Sequence, residues 1–271
     1  MNSEKFSVSM CVYGGDEPNH FKVAVESILN QTVMPDEVVL VVDGPVPEEL
    51  NTIICEYEAN ELFNVIRFTE NQGHGNARRA GLDACKNELV AIMDADDVAM
   101  SDRFEQQIKL FCDDTDIVGG DISEFIDSED NIVSYRKVPC TDSEIKEYLK
   151  KRCPFNQMTV MFKKSSVLAA GGYIDLFWNE DYYLWIRMSE NGAKMKNTGT
   201  VLVNARVGAD MYKRRGGRKY FKSEKFLQKY MLDKKIITRK IYLSNIAKRW
   251  ILQVLLPNSI RGWVFKKFAR S

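Results

Sequence analysis

No stretch of this 271-residue chain approaches the uncharged apolar run of roughly 18 residues that a membrane-spanning helix requires. The opening text MNSEKFSVSM carries Glu4 and lacks the apolar segment of a secretory signal, so a cytoplasmic protein is expected. Six cysteines (Cys11, Cys55, Cys85, Cys112, Cys140 and Cys153) are scattered without one C-x-x-C pair. That scatter argues against a zinc site or a disulfide framework and for free thiols in a reducing compartment. There is no Pro/Gly/Ser-rich tract and no internal repeat, which excludes a solenoid or a long disordered segment. Net charge is also missing, but only on average. Residues 211–271 hold 18 Lys and Arg against two acids, leaving 20 against 36 in the rest of the chain. Such asymmetry points to a basic appendage that meets a polyanion, either nucleic acid or an anionic membrane.

What is present reads as alternating strands and helices. FSVSMCVY (6–13) is a buried strand, and residues 20–30 form a helix with apolar Phe21, Val23, Val25, Ile28 and Leu29. EVVLVV (37–42) is a second strand running into Asp43-Gly44-Pro45. A helix over 47–60, a strand over 64–68, a helix over 75–85 and a strand over 89–93 follow. Strands apolar on both faces and separated by helices predict a mostly parallel sheet covered on both sides. The second half is less regular, with strands near 117–126, 159–162 and 201–207 and helices near 143–151 and 180–191. Beyond residue 211 the text turns helical and basic, which divides the chain into a domain over 1–210 and an extension over 211–271.

Ligands of such sheets lie beyond the carboxyl ends of the strands. Gly14-Gly15-Asp16, Asp43-Gly44, Glu70-Asn71-Gln72-Gly73 and Asp94-Ala95-Asp96-Asp97 all fall there. Three carboxylates within four residues repel one another unless a positive charge sits between them. Mg²⁺ or Mn²⁺, which keeps water and bridges to phosphates, answers that need. Helix capping by Asp97 or Ser101 is the alternative, and it explains one acid rather than three. Asp43 suits a turn, or a hydrogen bond to a base or ribose. The loop from Asn71 to Arg79 enters a helix and suits phosphate approach, although its glycine spacing fits neither the dinucleotide nor the Walker pattern. Glu180 and Asp181 open a helix, where acids are favoured by the dipole, and where a carboxylate could equally be aimed at an acceptor hydroxyl.

Taken together, SVSMCVYGG, ESILNQTVMPDEVVLVVDGP, ENQGHGNARRAGLDAC, LVAIMDADD, NEDYYLW and RVGADMYKRRGGRKYFKSE resemble a family 2 glycosyltransferase of the GT-A fold. The similarity runs along essentially the whole chain and is to the capsule, exopolysaccharide and O-antigen branch, which includes amylovoran-type enzymes. It implies a Rossmann-like α/β fold with a mixed, mostly parallel sheet and an inverting, metal-dependent transfer from a UDP-sugar. Galactose or an N-acetylhexosamine is the favoured sugar. A polyprenyl-diphosphate-linked glycan or an oligosaccharide is the implied acceptor. By the same resemblance Tyr13 and Asp43 would contact uracil and ribose, with Asn71 and Arg78 on the nucleotide. Asp94 and Asp96 would form the D-x-D element, Asp96 touching Mn²⁺ or Mg²⁺, and Asp181 of the Glu180-Asp181 pair would be the catalytic base. Two departures stand out: Asn156-Gln157-Met158-Thr159 where relatives carry His-Pro-Thr, and His74, read as a solvated loop residue.

Arg206, Arg214 and Arg215 with Gly216-Gly217 suit a diphosphate, or else simply neutralise the acidic core. Residues 236–256 and 258–270 are amphipathic, basic and Trp-bearing, the pattern of helices lying in an anionic membrane interface. Packing on the core or on a second subunit would account for the apolar face as well. A peripheral position at the inner face of the cytoplasmic membrane is expected, with no nucleic-acid partner. A sugar-1-phosphate nucleotidyltransferase is excluded because Gly14-Gly15-Asp16-Glu17-Pro18 stands where those enzymes have G-x-G-T-R. The remaining rival is a nucleic-acid- or membrane-binding protein with a degenerate nucleotide-sugar site. The acidic stretch from Asp94 to Asp97 argues against nucleic acid, since it would repel a polyanion.

Overall fold

The computed structural model describes residues 4–111, 114–208 and 216–256. In chain order the elements are β1 (Phe6–Tyr13), α1 (Pro18–Leu29), β2 (Glu37–Asp43), α2 (Glu48–Glu58), β3 (Phe63–Arg67), α3 (His74–Ala84), β4 (Leu89–Asp94) and β5 (Val98–Ala99). They continue with α4 (Arg103–Ile108), β6 (Ile117–Phe125), β7 (Ile132–Arg136), α5 (Asp142–Leu149), β8 (Met161–Lys163), α6 (Lys164–Ala169) and α7 (Glu180–Glu190). The long strand β9 (Met195–Arg206) precedes two helices, α8 (Arg218–Asp233) and α9 (Arg239–Trp250), and a π-helical turn over Ile251–Leu255.

One sheet organises the described residues, in the order β3-β2-β1-β4-β8-β6-β9-β5, with β7 paired to β6. β3, β2, β1 and β4 are parallel, as the apolar strands predicted. Beyond β4 the order changes: β8 is antiparallel to both β4 and β6, and β6 runs parallel to β9. The chain moves outward from β1 to β2 and β3, then returns to add β4 on the other side. β1 and β4 therefore flank the topological switch point, where a crevice opens beyond the strand ends. Register brings Tyr13 beside Asp43 and Cys11 beside Asp94 across that edge.

Alternation along the strands divides the core. Val38, Leu40 and Val42 join Phe6, Val8 and Met10 on the face covered by α1 and α2, through Phe21, Val25, Ile28, Leu50 and Ile54. Val39, Val90 and Ile92 point to the other face, packed with Leu82 of α3 and Trp185 of α7. α3 lies so close to β1 that a Cβ on Gly81 would run into the Ser9 hydroxyl. The N-terminal strands are buried on both sides, which is why they read as unbroken apolar runs.

α8 adds Leu227 and Met231 to the second core, followed by Ile237 in the next turn. Each such side chain contributes about 1.5–3 kcal/mol when fully removed from water, so the start of the basic extension is held to the sheet by its own apolar residues. α9 is different. Its one fully buried residue is polar, Asn245 donating to Lys150 O and Gln228 Oε1; Ile241 and Tyr242 pack only partly buried against the second core, and Leu243 is 64% exposed. Trp250, Ile251 and Leu255 are exposed as well.

Several elements differ from the sequence expectation. β9 begins at Met195 rather than 201, because it passes Gly199 at φ +76 with shifted register against β6 and continues as the same strand. β5, α4, β7 and α6 are two to six residues long, too short for periodicity to signal. Neither Asp97 nor Ser101 caps α4: the capping position is Asp102, without a side-chain bond, and Asp97 Oδ1 accepts from Arg206 N at 2.8 Å. Among the described cysteines Cys85 is buried, Cys11 and Cys153 are half-buried, and Cys55 and Cys140 are exposed, all as free thiols.

Candidate active site

The chain turns at the end of β2 through Asp43-Gly44-Pro45. Gly44 has φ +89, and a Cβ there would meet Asn71 N at 2.6 Å, so only glycine fits without displacement. Asp43, itself buried, accepts from the amides of Gln72 and Gly73 at 2.7 and 3.0 Å. Asn71 Nδ2 donates to Asp43 O at 3.2 Å. Both of these predicted nucleotide residues thus first hold the 70–73 loop against β2, and that loop delivers the N-terminus of α3 to the crevice.

Arg78, one turn into α3, is the centre of the site. Its guanidinium is buried and reaches Glu180 Oε1 at 2.5 Å and Asp94 Oδ1 at 3.2 Å. Burial alone would favour the neutral form, but Glu180 and Asp94 more than offset it and hold the group charged. One side chain therefore ties the end of β4 to the first turn of α7. Asp94, Glu180 and Arg78, more than a hundred residues apart at the extremes, share one ion-pair network.

The acids after β4 separate by role. Asp94 is half-buried, Asp96 is exposed, and Asp97 is buried. Burial, then the neighbouring charges of Asp96 and Asp94, pushes the Asp97 carboxyl well above the usual carboxylate range, opposed by its bond from Arg206 N. Arg206 also donates through Nε to Asp96 O at 3.1 Å and stacks its guanidinium 4.5 Å from the Phe125 ring. Beneath β4 lies Arg103, wholly buried, donating to Ile92 O at 2.7 Å and Gln107 Oε1 at 3.1 Å. Burial brings its guanidinium down to about 9, against the pull of Asp94 and Asp97. A cation is thus built under the acidic edge from residues that the sequence did not single out.

Asp94, half-buried and paired with Arg78 through one oxygen, and Asp96, exposed, are the carboxylates at this strand end that can offer oxygens to a cation. No group of three His, Cys, Asp or Glu side chains capable of holding a metal occurs among the described residues. A closed protein cage is therefore not built, whereas a hard cation that keeps waters and takes most of its ligands from substrate phosphates fits this donor set.

Asp181 stands at the start of α7, next to Glu180. Burial first, then the Glu180 charge, raises its carboxyl to about 6, while Arg78 and the Tyr182 N–H, 2.6 Å away, act against the rise. A carboxylate tuned upward toward neutrality and placed at a crevice is suited to accept a proton. The 3-10 turn Gln157–Thr159 carries Gln157, whose Nε2 donates to Tyr173 Oη at 2.9 Å. Gln157 Oε1 is buried without a hydrogen-bond partner among the described residues.

Tyr13, at the tip of β1, is exposed, with its ring 6.5 Å from that of His74. His74 is exposed, as expected, but it opens α3 rather than lying in the loop, and its ring is 5.2 Å from that of Trp178. Trp178 adopts φ +55, a left-handed conformation costing roughly 1–2 kcal/mol for a residue with a side chain. Nothing in the sequence marks it, since an exposed aromatic before a helix looks like any other. Eight of the predicted residues (Tyr13, Asp43, Asn71, Arg78, Asp94, Asp96, Glu180 and Asp181) gather at the carboxyl edge; Arg214 and Arg215 lie outside the described residues.

A mixed sheet whose parallel half ends in an acidic edge, with a carboxylate pair at a helix start beside it, suits a group-transfer enzyme. The chain belongs to glycosyl transferase family 2, whose family model matches residues 7–174. It is a glycosyltransferase. It is 36% identical over 273 residues to the UDP-Gal:alpha-D-GlcNAc-diphosphoundecaprenol beta-1,3-galactosyltransferase of Escherichia coli, covering 99% of this chain and 98% of that one. The amylovoran biosynthesis glycosyltransferase AmsE of Erwinia amylovora is 35% identical over 221 residues, 81% of this chain and 82% of the relative. In fold it is similar to S. aureus TarS 1–349, including its complex with UDP-GlcNAc, at a TM-score of 0.66 and 15% identity, covering 91% of this chain and 72% of that one.

Proposed function

We propose that this glycosyltransferase moves galactose or an N-acetylhexosamine, with inversion, from a UDP-sugar to a polyprenyl-diphosphate-linked glycan or oligosaccharide in bacterial surface polysaccharide assembly. The observation that carries the reading is the Arg78 network. It holds the acidic end of β4, where a donor diphosphate and its cation would sit, one side chain away from the helix start that bears Asp181. The galactosyltransferase of E. coli, similar along its whole length, supports both the UDP-sugar donor and the diphosphate-linked acceptor.

In this reading Asp96, with Asp94, would hold Mn²⁺ or Mg²⁺, which when bound offsets the negative charge growing on the departing UDP. Tyr13 and Asp43 flank the nucleoside, and Asn71 keeps the 70–73 loop in place beside the phosphates. Asp181 accepts the proton of the acceptor hydroxyl, strengthening it as a nucleophile for attack on the face opposite the leaving group. Glu180 keeps Arg78 charged and fixed, so that the base and the donor strand keep their separation. Arg214 and Arg215 are assigned to a diphosphate, of donor or acceptor, on their charge and their place after β9.

The partner surface is an anionic membrane at the inner face of the cytoplasmic membrane. Among the described residues no helix is long and apolar enough to cross a bilayer. α9 packs Ile241, Tyr242 and Asn245 inward, while it presents Leu243 and Trp250 outward and the π-helical turn that follows presents Ile251 and Leu255, with Lys240 and Lys248 also exposed. Apolar side chains rimmed by lysine match a lipid interface of negative charge, which supplies the acceptor. The 211–271 extension is accordingly assigned to membrane and acceptor, and residues 1–210 to catalysis.

A thermal-shift screen of nucleotides and UDP-sugars with Mn²⁺, Mg²⁺ or EDTA tests the donor half. A ligand that binds only the folded chain raises its midpoint by mass action. A shift selective for UDP and abolished by EDTA is expected; equal shifts with all nucleotides, or none in folded protein, would overturn it.

A further inference from the structure

α3 meets the approach to α7 through two contacts one helical turn apart. Arg78 and Glu180 form the inner one, buried and charged. His74 and Trp178 form the outer one, with ring centroids 5.2 Å apart, at the mouth of the crevice. Residues four apart share a helix face, so Trp178 stands directly outside the ion pair that adjoins Asp181. Tyr13 is the other ring neighbour of His74, at 6.5 Å, and stands beside Asp43 in the register of β1 and β2. The three rings thus run from the donor side to the side where the base waits.

The Trp178 ring is not there to fill the core. It is 41% exposed, although the fold braces its backbone from two sides. On one side, a Cβ on Gly75 would meet Asp175 Cα at 2.7 Å, so α3 abuts the loop directly. On the other, Asn179 Nδ2 donates to Ser223 Oγ of α8 at 3.0 Å, and Lys219 Nζ lies 4.0 Å over the Phe177 ring. The left-handed backbone at 178 would suit glycine or asparagine at lower cost. A large ring on a left-handed backbone, braced on both flanks, flanked by the rings of His74 and Phe177 and still 41% exposed, is an arrangement that packing alone does not call for.

We propose that Trp178 is the platform for the acceptor's terminal sugar: its ring stacks against the apolar C–H face of a pyranose and aims the reacting hydroxyl at Asp181. Amphipathic aromatic rings supply this kind of contact, with an apolar body beside a wet rim. The proposal rests on the reading of Asp181 as the base, and it assigns acceptor recognition to a residue outside the acidic edge. The other source of a stacking partner, the uracil of the donor, belongs to the Tyr13 end and is separated by the test.

The test uses the full chain carrying Asp181→Asn, so that bound substrates do not turn over. Its probe is N-acetylglucosamine α-linked to a diphosphoryl alkyl chain, titrated in the presence of UDP and Mn²⁺. Adding Trp178→Ala should weaken probe binding about tenfold or more, as loss of an anchoring tryptophan does, and leave UDP affinity unchanged. Trp178→Phe should keep most of the affinity. Trp178→Gly should lose probe binding as fully as Trp178→Ala and yet melt at a higher temperature than Trp178→Ala, because the backbone strain is relieved. Unchanged probe affinity in Trp178→Ala would overturn the proposal. A parallel fall in UDP affinity would move the ring to the donor side, and a large loss of stability in both Ala and Gly variants would make it a packing residue. Failure of the base assignment reads out separately, as full transfer by the Asp181→Asn chain with Trp178 intact.

Discussion

Replacing Glu180 with Gln should move the acid limb of the pH–rate profile downward while making the protein less stable. Asp181 is raised to about 6 by burial and by the Glu180 charge beside it, and Arg78 opposes the rise. Transfer requires the deprotonated base, so in the parent chain kcat/KM should fall about tenfold for each pH unit below about 6. Removing the Glu180 charge removes the second of the two causes, and the limb should shift toward the ordinary carboxylate range. The same substitution leaves Arg78 buried with Asp94 as its remaining carboxylate partner. Breaking a buried pair by removing one partner costs about 3–5 kcal/mol, and the surviving contact to Asp94 puts the expectation at the lower end. Linkage gives a further sign. The native state keeps the Asp181 proton up to about 6, whereas the unfolded chain releases it near 3.8, so native binds more protons between these values. Stability contributed by that group is therefore lost as pH rises through the window, by about 3 kcal/mol at most for a two-unit shift. Glu180→Gln should shrink this loss. Profiles of kcat/KM from pH 4.5 to 8, with urea unfolding at the same pH values, measure both effects. A limb that stays in place, or moves upward, would refute the electrostatic coupling of the two acids.

Asp96→Ala should abolish the metal-dependent part of UDP affinity, seen as equal titrations with Mn²⁺ and with EDTA; affinity that keeps its dependence on metal would move the ligand elsewhere. Leu227→Ala, in the wholly buried position through which α8 joins the second core, should cost about 2–5 kcal/mol of unfolding free energy by urea titration. Paired Leu243→Glu on α9 and Ile251→Glu in the π-helical turn after it should reduce co-sedimentation with vesicles rich in anionic lipid. They should leave the melting temperature within about a degree or two, since both residues are largely exposed and exposed substitutions change stability little. Unaltered sedimentation would take the membrane contact away from this face.

The parallel half of the fold was legible because β1, β2 and β4 are buried on both faces and so announce themselves as apolar runs, each ending in a polar cluster. Those endings place Asp43, Asp94 and Asp96 at one edge from the sequence alone. Arg78 and Glu180 were each singled out, but their ion pair was not, because a contact across 102 residues leaves no local pattern. Asp97 reads in the sequence as the third acid of the cluster or as a helix cap; its bond from Arg206 N depends on β9 arriving alongside β5, a pairing no periodicity reports. Trp178 and the buried Arg103 passed unremarked for the same reason. A Trp and an Arg beside helix starts look like solvated residues until the fold shows one strained at the crevice mouth and the other sealed under β4.

The most direct test of the account is transfer itself. UDP-galactose and UDP-N-acetylglucosamine would each be offered, with Mn²⁺, to the parent chain and to Asp181→Asn in the presence of a diphosphate-linked N-acetylglucosamine acceptor. The anomeric configuration of the product would be read by NMR. A β-linked product from an α-linked donor in the parent chain, with transfer lost and UDP affinity kept in Asp181→Asn, is the predicted result. Retained configuration, or undiminished transfer by Asp181→Asn, would contradict it.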